Sequence, residues 1–303
     1  MLVRRWWYLT VLAAAVVVAV SFLLGSASAS AHKPAPPVQA PTKGKAPARV
    51  RGASTFACGM TVTGNFTLTS DESCPGSTAI FIEANGVTVN LNGHTLTGDQ
   101  SPSNYGVEAD FNNDVVTNGS ILNFDYGVTM FGNGDKATSL QVYDDASGGI
   151  YADGAGAVVS SNYVLVNPLG VWLDGGANDQ LTNNWVEGST NNGIWVDNQT
   201  NMVISGNRAL STTGVGQGIV TENNTGQITG NVANGNASEG IYLDNLGTGV
   251  KPAVTFTGNR AAFNTDYGVQ SVPGGAVDGG NNVVQDNGNA AQCLNIVCHE
   301  VDN

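Results

Sequence analysis

The sequence predicts an all-β chain wound as a parallel β-helix, a solenoid of about ten short coils. Three observations carry this. Gly followed by Val or Ile recurs eight times, at Gly106, Gly127, Gly149, Gly170, Gly193, Gly218, Gly240 and Gly268, in steps of 21 to 28 residues. A second column keeps step with it: Asn92, Asn118, Gln141, Asn162, Asn184, Asn207, Asn231, Asn259 and Asn282. No long stretch after residue 52 has helical periodicity; short Val-, Ile- and Thr-rich segments alternate with Gly and Asn instead.

In chain order, residues 1–31 read as an export signal. Arg4 and Arg5 begin it, Leu9 to Leu24 form the apolar stretch, and Ala27-Ser28-Ala29 or Ala29-Ser30-Ala31 offers cleavage. A stretch of 16 residues falls short of the roughly 20 a spanning helix needs, so no membrane span is expected after cleavage; the alternative is an uncleaved anchor. Residues 32–57 are rich in Pro, Ala and Lys without an acidic residue, a composition expected of a disordered basic linker. Residues 58–303 form the β-helix domain, with secretion or the cell envelope as its expected destination.

Charge divides sharply along the chain. Seven of eleven Lys and Arg lie before residue 52, and all 24 acidic residues lie after residue 70. The folded part, with four basic residues, therefore carries a net charge near −20. That excludes nucleic acid and anionic membranes as natural partners, and polyanions unless cations intervene. Cys58, Cys74, Cys293 and Cys298 allow three pairings. Proximity favours Cys58–Cys74 and Cys293–Cys298, one staple at each end of the array, where a solenoid needs closure.

Within each repeat, a strand starts at Gly-Val/Ile, a second ends at the apolar residue before the column Asn, and a third leads to the next bend. Asn suits tight bends, and stacked amides can satisfy one another facing inward. A further Asn follows five residues later at Asn123, Asn167, Asn264 and Asn287.

The segment Gly86-Val-Thr-Val-Asn-Leu-Asn-Gly-His-Thr-Leu-Thr-Gly98 resembles the entry motif of right-handed parallel β-helix repeat proteins of the pectate-lyase-like superfamily, nearest the NosD-like type. The resemblance covers about residues 58–298. It implies a right-handed coil and a first-strand face on which substrate commonly binds, but no one chemistry, since the superfamily includes lyases, hydrolases, epimerases and proteins of no known chemistry.

On that first strand the apolar residues point inward, leaving two outward rows. One is Glu108, Thr129, Tyr151, Trp172, Trp195, Val220, Tyr242 and Gln270. The other is Asp110, Phe131, Asp153, Asp174, Asp197, Glu222, Asp244 and Val272. Tyr151, Trp172, Trp195 and Tyr242 are candidate sugar-stacking rings; the alternative is that they stack on each other and stabilise the sheet. Asp153, Asp174 and Asp197 are candidate catalytic carboxylates, or turn caps before Gly and Asn. Like charges at strand spacing repel, and a bound calcium or a retained proton would relieve them. No other cofactor is implied.

Tyr163, Trp185, Arg208 and Arg260 share an outward row on another face. The Asp144-Asp145 pair reads as a solvated bend, and His94 as a packing or turn residue. The Asp-Pro-His-Asp motif of alginate epimerases and the Asn-Thr-Asp and Gly-His-Gly signatures of polygalacturonase-type hydrolases are absent. Basic residues are scarce. These features favour a secreted solenoid that binds polysaccharide or envelope glycan without turnover. The alternative is a glycoside hydrolase, less readily a lyase, acting through the same aspartates.

Overall fold

A computed structural model of the chain describes residues 40–41, 43, 55–244 and 254–301. The export signal and most of the expected linker lie outside the described residues. No described helix is long and apolar enough to cross a membrane.

The described chain is a right-handed parallel β-solenoid of about ten turns, without helix. Eleven strands make one parallel sheet, running from Met60–Val62 through Leu169–Asp174 to Cys293–Leu294. The remaining strands close the other faces of the coil. One turn illustrates the unit: Leu169–Asp174, Gln180–Thr182 and Trp185–Glu187, then the next turn at Ile194–Asp197. Val171 pairs with Ile194, Leu181 with Ile204 and Val186 with Ala209, each one coil on. The apolar columns meet in a single buried core that includes Val107, Val128, Ile150, Val171, Ile194, Ile219, Ile241 and Val269. Burying such a continuous column is what makes the repeats stable together though none is stable alone.

The recurring Gly has a steric cause. A Cβ on Gly240 would lie 2.6 Å from the Gly268 carbonyl oxygen and 2.9 Å from the Ala261 Cβ. On Gly149 it would lie 2.7 Å from the Gly170 carbonyl oxygen. Adjacent coils approach too closely there for any side chain.

The Asn column is a buried amide ladder through Asn162, Asn184, Asn207, Asn231, Asn259 and Asn282. Asn184 shows the pattern. Its Nδ2 donates to Asn207 Oδ1 at 3.0 Å and to the Val159 carbonyl at 2.9 Å, and its backbone N–H donates to Asn207 Oδ1 at 2.9 Å. No polar atom is left over, which is the condition for burying an amide. Asn92, Asn118 and Gln141 do not belong to this ladder. The Leu140 N–H donates to Asn162 Oδ1, so Leu140 holds the ladder position, and its strand partner there is Gly119. Asn92 and Asn118 are in left-handed backbone (φ 53° and 62°), where Asn is favoured for bending.

A second ladder runs through Asn167, Asn236, Asn264 and Asn287. Asn123 lies one residue off it, at φ 59°, and Phe124 takes the position. Asp145 belongs to this ladder too. It is 2% exposed and accepts the Phe124 N–H at 2.8 Å, so the solvated Asp144-Asp145 pair is corrected at Asp145.

Both expected disulfides form, Cys58–Cys74 and Cys293–Cys298, near the two ends. Phe56 packs on the first coils just ahead of residue 58.

Candidate functional site

The two outward rows run in register along the eleven-stranded sheet. Tyr151 pairs with Trp172, Trp172 with Trp195, Trp195 with Val220 and Val220 with Tyr242. Asp174 pairs with Asp197, Asp197 with Glu222 and Glu222 with Asp244.

Although these rings point away from the core, most are covered. Tyr151 is 2% exposed, Trp172 5% and Tyr242 7%. Tyr105, Tyr126, Tyr151, Leu169 and Trp172 form a second apolar cluster outside the sheet, with Phe131 and Trp195 packed against it. Trp172 and Trp195 stack at 4.7 Å between centroids and 4° between planes, and Tyr151 meets Trp172 edge-on at 5.1 Å. Strand spacing of ~4.8 Å brings in-register rings into contact, face to face for Trp172 and Trp195 and edge-on from Tyr105 to Trp172, so neighbouring rings cover one another. Of the four candidate rings, Trp195 is the half-buried one.

Tyr105 and Tyr126 extend this cluster, and they were missed at the sequence level. Their signal was the aromatic residue directly before an anchor Gly, in Tyr105-Gly106 and Tyr126-Gly127. The pairing between strands skips Gly106 and Gly127, which breaks the simple alternation, and both rings join the cluster of Tyr151 and Trp172.

The polar tips of the rings grip the carboxylate row. Tyr151 Oη donates to Asp174 Oδ2 at 3.3 Å, Trp172 Nε1 to Asp197 Oδ1 at 3.1 Å, and Tyr242 Oη to Asp244 Oδ2 at 3.4 Å. Burial and the neighbouring Asp174 charge push the Asp197 carboxyl up to about 7. A raised carboxyl pKa is how stacked like charges coexist at this spacing. Asp153 is raised by burial and then by Asp174, Glu222 by burial and then by Asp244. Among the described residues no group of three or more His, Cys, Asp or Glu is placed to hold a metal ion. One carboxylate per coil, in a line, does not make such a cluster.

The other sequence candidates lie elsewhere. Tyr163, Trp185 and Arg208 are in register on a different face, with Tyr163 and Trp185 stacked at 5.3 Å and Arg208 5.2 Å over the Trp185 ring. Arg260 continues that row beyond Val232. His94 Nδ1 sits 3.3 Å from Asp71 Oδ1 near the first coils.

A family model described as a right-handed β-helix region matches residues 78–252. A search of curated proteins finds no match to the sequence. Among solved structures, an alginate lyase from Paenibacillus sp. str. FPU-7 is similar with a TM-score of 0.53 and 13% identity, over 77% of this chain and 91% of that one. The Dettilon tailspike protein (gp208) is similar at 0.42 and 16% identity, over 79% and 60%. The tailspike gp49 of Acinetobacter baumannii bacteriophage Fri1, a capsular polysaccharide depolymerase, is similar at 0.35 and 10%, over 79% and 57%. The chain thus spans less than two thirds of either tailspike. At these identities the likeness concerns the fold.

Proposed function

We propose that this chain, which belongs to the right-handed β-helix family, is a secreted protein that binds polysaccharide or envelope glycan along the first-strand face. Asp153, Asp174 and Asp197 accept hydrogen bonds from sugar hydroxyls, and Trp195 offers the accessible ring beside them. Tyr151, Trp172 and Tyr242 act as a backing that fixes the carboxylates from behind. The single observation carrying this reading is the continuous edge of carboxylates, each of several held by an aromatic donor. Two disulfides fit an oxidising, extracellular setting.

A second reading, glycoside hydrolysis, is favoured by the Asp174–Asp197 pair. Adjacent coils at ~4.8 Å approach the ~5 Å carboxyl separation of retaining glycosidases. A carboxyl raised to about 7 holds the proton a general acid needs, and the Asp174 carboxyl paired beside it stands where a nucleophile would. A lyase is less well served. The described Lys136, Arg208, Arg260, His94 and His299 all lie off the first-strand sheet strands, and the basic group that does reach that face, Lys43, sits at Asp110 and Phe131, away from Asp174 and Asp197.

The test is a glycan-array screen of the secreted chain, with each hit followed for reducing ends. Binding that Asp174→Asn weakens, without product from the unaltered chain, supports the binder. Reducing ends lost in both Asp174→Asn and Asp197→Asn support the hydrolase. No hit on any glycan would count against the site.

A further inference from the structure

The candidate face is not open along its whole length. Ala40 packs on the cluster formed by Tyr105, Tyr126, Tyr151 and Trp172. Lys43 Nζ lies 3.6 Å from Asp110 Oδ1 and 5.4 Å above the Phe131 ring. Asp110 and Phe131 are the first two members of the outer row that continues to Asp153, Asp174 and Asp197. Ala40 and Pro41 also wall a cavity of about 300 Å³ against Pro102, Tyr105, Tyr126 and Ser147.

These contacts coincide with the site chemistry. An ammonium placed on a carboxylate, with an aromatic ring under it and small apolar residues on the neighbouring rings, satisfies the groups a bound polymer would satisfy. The positive charge reaches further along the row, where it opposes the rise at Asp153. Lys43 is itself exposed and holds by one ion pair to the half-buried Asp110 and one cation–π contact, each modest, so the arrangement is displaceable.

We infer that Ala40, Pro41 and Lys43 form a built-in strap over the N-terminal half of the aromatic–acidic face, and that ligand gains the full row only by displacing it. The inference rests on the reading of this face as the glycan site. It adds an internal competitor, carried by the basic segment that precedes the solenoid. Residues Tyr151 to Glu222 remain the part a ligand meets first, and the Lys43 contact is the latch.

The test uses the full mature chain and its Lys43→Glu variant, which sets like charge against Asp110. Zero-length carbodiimide coupling should join Lys43 to Asp110, detectable by peptide mass spectrometry. Hydroxyl-radical labelling of Tyr126 and Phe131 should rise several-fold in Lys43→Glu while the melting temperature stays unchanged. The glycan probe is cellohexaose, chosen because it is neutral and so insensitive to the charge reversal itself. Its affinity should increase about three- to tenfold in the variant, as expected when an occluded fraction is released. Absence of the cross-link, or labelling at Phe131 unchanged by Lys43→Glu, overturns the strap whatever the ligand does. Raised labelling with unchanged cellohexaose affinity overturns the competition. If neither chain binds cellohexaose while the cross-link forms, the glycan reading loses support and the strap stands on the cross-link and labelling.

Discussion

Asp145→Asn should stabilise the protein, and only above acidic pH. Asp145 sits in the second amide ladder, directly before Asn167. Its backbone N–H donates to Asn167 Oδ1 at 2.9 Å, and its Oδ1 accepts the Phe124 N–H at 2.8 Å. Its Oδ2 is buried without a partner. Where the ladder has Asn, the equivalent Nδ2 donates to a carbonyl of the previous coil: Asn167 to Val142 at 3.2 Å and Asn264 to Ala233 at 2.9 Å. A carboxyl reproduces that donor only while protonated. Burial, and then the Asp144 and Asp125 charges, hold its titration well above the usual carboxylate range.

A carboxyl with a raised folded-state pKa contributes stability that is complete below its unfolded value. That contribution is lost as pH rises through the folded value. Asn has the same shape and donates at every pH. At about pH 8.5 the exchange removes the cost that folding imposes on a buried carboxyl, which must either take up a proton or leave an oxygen unsatisfied, about 2–3 kcal/mol. For a domain of this size that is roughly 5–9 °C in melting temperature. At about pH 4.5 the protonated Asp145 already donates, and the two proteins should melt within about 2 °C. Thermal unfolding followed by far-ultraviolet circular dichroism at both pH values measures the difference. An Asn variant that melts lower at about pH 8.5, or that gains equally at both, would refute the ladder argument.

Three further outcomes are expected. The unaltered protein should melt on the order of 10 °C lower at about pH 8 than at about pH 5, because burial raises Asp179 to about 6 and Asp135 to about 7; a flat calorimetric profile over that window contradicts it. Trp172→Ala should cost about 3 kcal/mol, since the ring is 5% exposed and stacked on Trp195; urea unfolding decides. Asn207→Ala should cost about 2–4 kcal/mol by stranding the amides of Asn184 and the Leu181 carbonyl, whereas Gln141→Ala, outside the ladder, should change the urea midpoint little.

The column structure was legible from sequence because it follows from covalent repetition alone. Val171, Ile194 and Ile219 recur at a coil's spacing, so they must stack, and the outward register of Trp172, Trp195 and Asp174, Asp197 follows from strand alternation. The disulfide pairing was legible for the same reason, since each pair lies within one end of the array. What sequence did not contain was a one-residue phase. Gln141 stands where the period suggests a ladder residue, yet Leu140 fills the position, because coil length varies and only backbone pairing fixes the offset. Nor could sequence say that Asp145 turns inward while Asp144 does not, or that Tyr151 and Trp172 are buried while pointing outward. Burial there is made by rings on neighbouring coils and by Ala40, far off in the chain. Pointing outward is a property of a strand; being exposed depends on what the rest of the fold lays over it.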